Sequence, residues 1–300
     1  MPVTDKNIFI EPMHTELKFY KDSPCPQFVE QLNAIEVNLI GAPTIEQFRE
    51  TVSIFMLNTW NDRIKTEFTE EEIDRCIYQL FNGEILPTGM EVINLTFSIS
   101  GMDMIDTTHL IRHRLFSFSA QAHGDRDMRD DRVMVKPSIM ASSEFYARYK
   151  HITQQAHELY KDMVDSEEVS MLDARTIMPR NFEHFYFARA TIKDWIGYVR
   201  MRLDEQIQTT VDNIIALRVW LAIVKQYPFL KNLVDVNAPD AFYVKQCRQG
   251  KTNIFPPNAK NDLFEWKHEQ FVQSKGREDF PGGEVYLKLR QEIIDEINSI

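Results

Sequence analysis

Residues 91–100, EVINLTFSIS, decide how the rest of this chain is read. Ile93, Leu95, Phe97 and Ile99 alternate with Asn94, Thr96 and Ser98, and a period of two puts every second side chain on one face of a strand. Gly101 is expected to end it. Helices dominate the rest, with some strands segregated from them, so the class is α+β.

Upstream, residues 1–45 mix short extended runs (NIFIE, ELKFY, AIEVNLI) with proline-bearing turns. PTIEQFRETVSIFML predicts a helix capped by Thr44, with Ile45, Phe48, Val52, Phe55 and Met56 as its apolar stripe. TEEEIDRCIYQLFNGE predicts another, capped at Thr69 and stopped near Gly83. Downstream, DMIDTTHLIRHRLF reads as helical, so Arg112, His113 and Arg114 fall late on a helix or just past its end. SSEFYARYKHITQQAHELYKDMV is amphipathic, with Phe145, Tyr149, Ile152, Ala156, Leu159 and Met163 as the expected buried stripe. SMLDARTIM is a shorter helical piece ended by Pro179. Residues 181–226 read as one or two long, deeply packed helices. From about 236 the chain loosens (NAPDAF, NIFPPNAKND) and closes with a helix in EVYLKLRQEIIDEI. The expected organisation is one α+β domain over 1–235, its first eighty residues divergent, with 236–300 an extension packed on the same domain.

Composition narrows the function classes. The 300 residues are 43% hydrophobic and 26% charged, ordinary for a globular chain. A net charge of −11 opposes a general nucleic-acid surface, which must neutralise phosphates. The N-terminus lacks the basic start and apolar core of a signal peptide. The most apolar run, NIIALRVWLAIV, is too short to cross a bilayer and carries Arg218. A soluble, cytoplasmic protein without nucleic-acid or membrane partners is expected. Three scattered cysteines, Cys25, Cys76 and Cys247, give no disulfide framework or zinc pattern.

The chemistry-bearing residues are unevenly spread. His109 and His113 stand at i,i+4, a spacing that suits a metal. However, Leu110 occupies the place of the zinc-protease glutamate, and Arg112 and Arg114 would repel a dication, so no metal is expected. The cysteines lack an activating sequence neighbourhood apart from Arg75 and Arg248. There is no glycine-rich phosphate loop. An anionic ligand must then be held by side chains, and arginine's planar fork suits phosphate. The candidates are Arg112, Arg114, Arg126, Arg175 and Arg202; each, taken alone, also fits a solvated or salt-bridged role. GDRDMRDDR reads as a solvated loop, with Arg126 the residue placed to turn into a site.

The Arg112-His113-Arg114 run followed by Ser117 resembles the signature of flavin-dependent thymidylate synthases: Arg-His-Arg, seven residues, then Ser. PTGMEVINLTF resembles the family's Thr-Pro-Phe-Glu-His stretch entering a strand, with Thr88 and Glu91 in place. LDARTIMP resembles its Ala-Arg-x-x-Leu-Pro element. Arg202 then falls at the position of the uracil-facing arginine, and Gln208 on a glutamine expected soon after. The resemblance covers residues 82–126 and 170–225. It implies that family's α+β fold, helices packed with a small, mostly antiparallel sheet, and a homotetramer with sites between subunits, binding FAD, a pyrimidine deoxynucleotide monophosphate and methylene-tetrahydrofolate, with NADPH as reductant. By that resemblance Arg202 is the catalytic arginine that also binds substrate. Thr88, Glu91, Arg112, His113, Arg114, Thr191 and Lys193 are implied at the cofactor. His109, Ser117, Arg126 and Arg175 are implied at the nucleotide, His109 standing where the family has a glutamine.

The departures concentrate in the same places. Ala122 stands at the motif serine, Ala120 at a usual acid and Gly124 at a usual arginine. Thr191 and Lys193 replace an Asn and an Arg, Gln206 a His, and Thr210 a Glu. The activity implied is C5 methylation of dUMP to dTMP. The alternatives are another pyrimidine nucleotide such as dCMP, a hydroxymethyl product, or a noncatalytic nucleotide-binding homologue.

Overall fold

In a computed structural model, residues 18–19, 31–120, 127–128, 132–140, 142–203, 210–237 and 283–300 are described. Four strands form one antiparallel sheet: β1 (Glu36–Gly41), β2 (Asn94–Asp103), β3 (Ser117–Ala120) and β4 (Glu183–Thr191), in the order β1-β2-β4-β3. Lys18–Phe19 and Arg132–Val133 make a separate two-residue parallel pair. The helices used below are α1 (Ile45–Leu57), α2 (Glu70–Phe81), α3 (Met104–Leu110), α4 (Ser143–Asp165), α5 (Ile192–Arg202), α6 (Thr210–Gln226) and α7 (Gly283–Ser299).

The alternation in EVINLTFSIS does what it predicts. Leu95, Phe97 and Ile99 are buried, and they face Ala190, Ala188 and Tyr186 of β4 across the central ladder. Trp195 of α5 closes over this face, its ring 4.6 Å from Phe97 and its Nε1 donating to the Leu95 carbonyl at 3.2 Å. The opposite face is open: Phe185 and Phe187 are exposed and meet edge to face at 6.4 Å. Thr44 and Thr69 cap α1 and α2, each through a reciprocal capping box, and Gly83 follows α2 at φ 72°.

Four expectations are corrected. First, residues 183–191 are a strand and not part of a long helix. In EHFYFARAT, His184, Tyr186, Ala188 and Ala190 point inward while Phe185, Phe187 and Arg189 point outward. Apolar side chains on both faces hide this period of two. Second, Gly101 does not end β2. It sits at φ 79° in a bulge between Ser100 and Met102, and the strand continues to Asp103. Third, the buried face of α4 is Tyr146, Thr153, His157 and Tyr160, whereas Phe145, Ile152 and Leu159 are exposed. Packing against Phe182 and Asn181 selects the face whose hydroxyls and imidazole find partners over the more apolar one. Fourth, Ile45 and Phe55 of α1 are exposed, and its buried stripe is Phe48, Val52, Ser53 and Met56.

α6 is buried almost all round and touches β1, α3, α5 and α7. α7 docks on it through Tyr286, Ile293, Ile294 and Ile297, all buried. Of the regions expected to be loops, residues 238–282 lie outside the described residues, as do Cys25, Cys247 and the NIFIE run. Cys76 is buried, and burial pushes its thiol up, as befits a packed side chain.

The bulge gives a direct test. A Cβ on Gly101 would lie 2.0 Å from the Ala34 carbonyl oxygen, and backbone there cannot simply swing aside. Gly101→Ala is expected to lower unfolding free energy by about 2 kcal/mol or more, read as a drop in the urea midpoint.

Candidate active site

β2 runs without a break into α3, and Asp103 belongs to both. It is the last strand residue and also the helix cap, its Oδ1 accepting from the Asp106 amide at 3.0 Å. Lys136 Nζ lies 2.9 Å from Asp103 Oδ2 and 2.7 Å from Asp106 Oδ2. Burial pushes the Asp106 carboxyl up to about 7; Lys136 opposes this, while Asp103 and Asp212 add to it. This charge cluster anchors the N-terminal end of α3.

The C-terminal end of α3 carries His109, roughly 8 Å further along the axis. Its Nδ1 is 2.7 Å from Asp212 Oδ2, and Asp212 is only 2% exposed. Its carbonyl accepts a hydrogen bond from the guanidinium of Arg202, which also lies 3.2 Å from His113 Nε2. Arg202 is 6% exposed at the end of α5. Its own carbonyl accepts from the Asn213 amide, and Tyr286 of α7 donates to Asn213 Oδ1 at 2.9 Å. The last turn of α3 and the turn after it therefore hold the guanidinium, while α6, itself bonded to α7, holds the backbone of the same residue.

The Arg-His-Arg run lies just past the helix end, where turns split it. His113 goes inward, 5.0 Å from Tyr198 edge to face and 5.5 Å from Phe116. Burial pushes His113 down to about 4, and the Arg202 charge works in the same direction against Asp212. Arg112 and Arg114 point outward, and their side chains make no ion pair among the described residues. Burial also raises the Tyr198 and Tyr186 hydroxyls well above their ordinary value.

A second group gathers at the other end of α5. Thr88 and Glu91 lie on the short 3-10 helix Pro87–Glu91, and Glu91 forms an ion pair with Lys193. The Thr191 hydroxyl caps α5 by accepting from the Asp194 amide, and it lies 2.6 Å from the Asp194 carboxylate. The Thr88 hydroxyl faces Met56 Sδ at 3.6 Å. From 192 to 202 α5 rises roughly 15 Å, so the residues expected at the cofactor form two groups that far apart.

The remaining expected residues stand separately. Ser117 begins β3, exposed, opposite Arg189. Arg175 starts a 3-10 turn packed on α4 and makes no ion pair among the described residues. Arg126, Ala122, Gly124, Gln206 and Gln208 lie outside the described residues. Among the described residues no group of three or more His, Cys, Asp or Glu side chains can hold a metal ion. No described helix is long and apolar enough to cross a membrane. Sequence reading missed Asp212. Its signal was an acid and an amide, Asp212-Asn213, opening an otherwise apolar helix.

The described site thus joins a buried arginine to two outward ones on an α+β frame. The family model described as thymidylate synthase complementing protein matches residues 47–228, and the chain belongs to that family. The flavin-dependent thymidylate synthase of Pyrococcus furiosus is 25% identical over 153 residues, 50% of this chain and 62% of the relative. The Pyrococcus abyssi enzyme of the same name is 26% identical over 167 residues, covering 53% of this chain and 68% of the relative. This chain thus spans somewhat under two thirds of the P. furiosus protein's length. Among solved structures, a UMP/dUMP methylase from Streptomyces cacaoi, bound with 5-Br dUMP, superposes with a TM-score of 0.52 at 16% identity. That match covers 66% of this chain and 94% of the other, and shows the shared fold.

A pH test follows from His113. The unfolded chain takes up this proton near pH 6.5, but the folded one only near 4. The unfolded state therefore binds more protons between those values, and stability falls as pH drops through them. His113→Gln is expected to make the fall in melting temperature between pH 6.5 and 4 shallower.

Proposed function

We propose that this chain is a flavin-dependent enzyme that methylates a pyrimidine deoxynucleotide at C5, converting dUMP to dTMP with methylene-tetrahydrofolate and NADPH in the cytoplasm. The observation that carries this reading is the Arg202 guanidinium, buried and fixed by His109, His113 and, through its backbone, Asn213. A preorganised positive charge at the polar edge of a uracil draws electron density from the ring and makes C6 electrophilic. Such a charge acts without reorganising, and a guanidinium held by the end of α3 and the turn after it, on a backbone held by α6, meets that need.

The donor set fits FAD in part. Arg112 and Arg114, outward and without ion pairs among the described residues, suit its anionic phosphates. Once bound, the flavin supplies the hydride chemistry. Thr88, Glu91, Thr191 and Lys193 would meet it at the other end of α5, and a separation of roughly 15 Å suits either an extended dinucleotide or sites shared between chains. Arg175 and Ser117 are proposed at the nucleotide, with Arg126. The exposed line of Phe145, Ile152 and Leu159, seven residues apart on α4, supports assembly into a homotetramer, because a soluble helix seldom leaves such a line in water. Residues 236–300 are proposed to belong to the same domain, since α7 reaches the support of Arg202.

One observation favours a second reading, a noncatalytic nucleotide-binding homologue. Lys193 is neutralised by Glu91, and the Thr191 hydroxyl is committed to Asp194, so part of the expected cofactor set is already engaged.

The purified protein is expected to carry flavin absorbance and, given dUMP, methylene-tetrahydrofolate and NADPH, to release dTMP detectable by mass spectrometry. Arg202→Ala should reduce kcat by at least about a hundredfold and leave flavin absorbance in place. Product from dCMP, or a hydroxymethylated product, would redirect the substrate assignment; colourless protein without product would support the second reading. Ile152→Glu is expected to shift the sedimenting species to a smaller assembly.

A further inference from the structure

His109 is held at two points. Its main-chain carbonyl accepts from Arg202, and its ring Nδ1 meets Asp212 at 2.7 Å. Asp212 is almost wholly buried, while the His109 side chain is 24% exposed. An ionised carboxylate only accepts hydrogen bonds, so opposite an ionised Asp212 the hydrogen of this contact sits on Nδ1. The ring then has one open position, Nε2, for which the described residues supply no partner. The open nitrogen thus belongs to a residue whose backbone is bonded to the Arg202 guanidinium.

Resting on the functional reading above, we propose that Asp212 is a positioning residue: it fixes His109 in the Nδ1–H form, with Nε2 presented as an acceptor for a hydroxyl or N–H of the bound nucleotide. Three features support this. The carboxylate is placed in the buried first turn of α6, a largely apolar helix, where an ionised acid is expensive unless it is paired. The contact crosses from α6 to α3 and fixes ring orientation as well as tautomer. Finally, a ring free to switch tautomer would present now a donor and now an acceptor, whereas the dyad commits the site to one polarity. Selection between ligands that offer a donor and those that offer an acceptor follows from that commitment.

The test is a double-mutant cycle on dUMP binding by calorimetry, with dCMP as a second probe, using the full chain. Glutamine at 109 has a carbonyl oxygen that accepts without needing a carboxylate to set it. Asp212→Asn is expected to weaken dUMP binding about tenfold with His109 in place, and less than about twofold in the His109→Gln background. Equal weakening in both backgrounds, or none in either, would overturn the proposal, because a merely structural carboxylate acts regardless of residue 109. Nitrogen NMR of histidine-labelled wild-type protein supplies a second readout: His109 should be protonated at Nδ1 and bare at Nε2. The reverse tautomer would overturn the proposal even if Asp212→Asn fails to fold. A chain that binds dUMP but makes no product leaves the cycle readable and sinks only the activity. A wild type that binds neither nucleotide sinks both.

Discussion

A guanidinium cannot be buried without partners for its charge and its donors, and the site depends on how that demand is met at Arg202. The groups that meet it come from distant parts of the chain. His109 and His113, from α3 and the turn after it, meet the guanidinium, and Asn213 of α6 holds the Arg202 carbonyl. None of these can move independently. α3 is placed because β2 runs directly into it and Asp103 caps it; the Lys136 cluster then fixes its first turn. The sheet is therefore a device for delivering one short helix, with its last turn against the end of α5.

Much of this was legible in the sequence, and the failures have physical causes. EVINLTFSIS announced its strand because one face is apolar and the other polar. EHFYFARAT hid its strand because Phe185 and Phe187 lie on the face opposite Tyr186 and carry no polar signal. On α4 the apolar stripe was real, but it faces outward; the buried face uses Thr153, His157 and two tyrosines that need hydrogen-bonding neighbours. The Arg-His-Arg run and Arg202 stood out as motif and position. Asp212 did not, since its role requires His109, 103 residues away in the chain.

The departures from the family pattern gain meaning once placed. Lys193 and Glu91 neutralise each other at one end of α5, so the charge that a bidentate arginine would offer is largely spent within the chain. At the other end Arg112 and Arg114 keep theirs. Exposed cations without an ion pair among the described residues thus stand beside the Arg202 end of α5, although the chain as a whole is acidic.

The tyrosine that steadies Asn213 comes from α7, near residue 286, while the arginine it supports indirectly is residue 202. A nascent chain that has emerged only as far as residue 237 possesses the whole sheet and the arginine, but not that brace. Construction of the site is therefore ordered in time by translation, with its geometry completed after the sheet and the arginine are already in place.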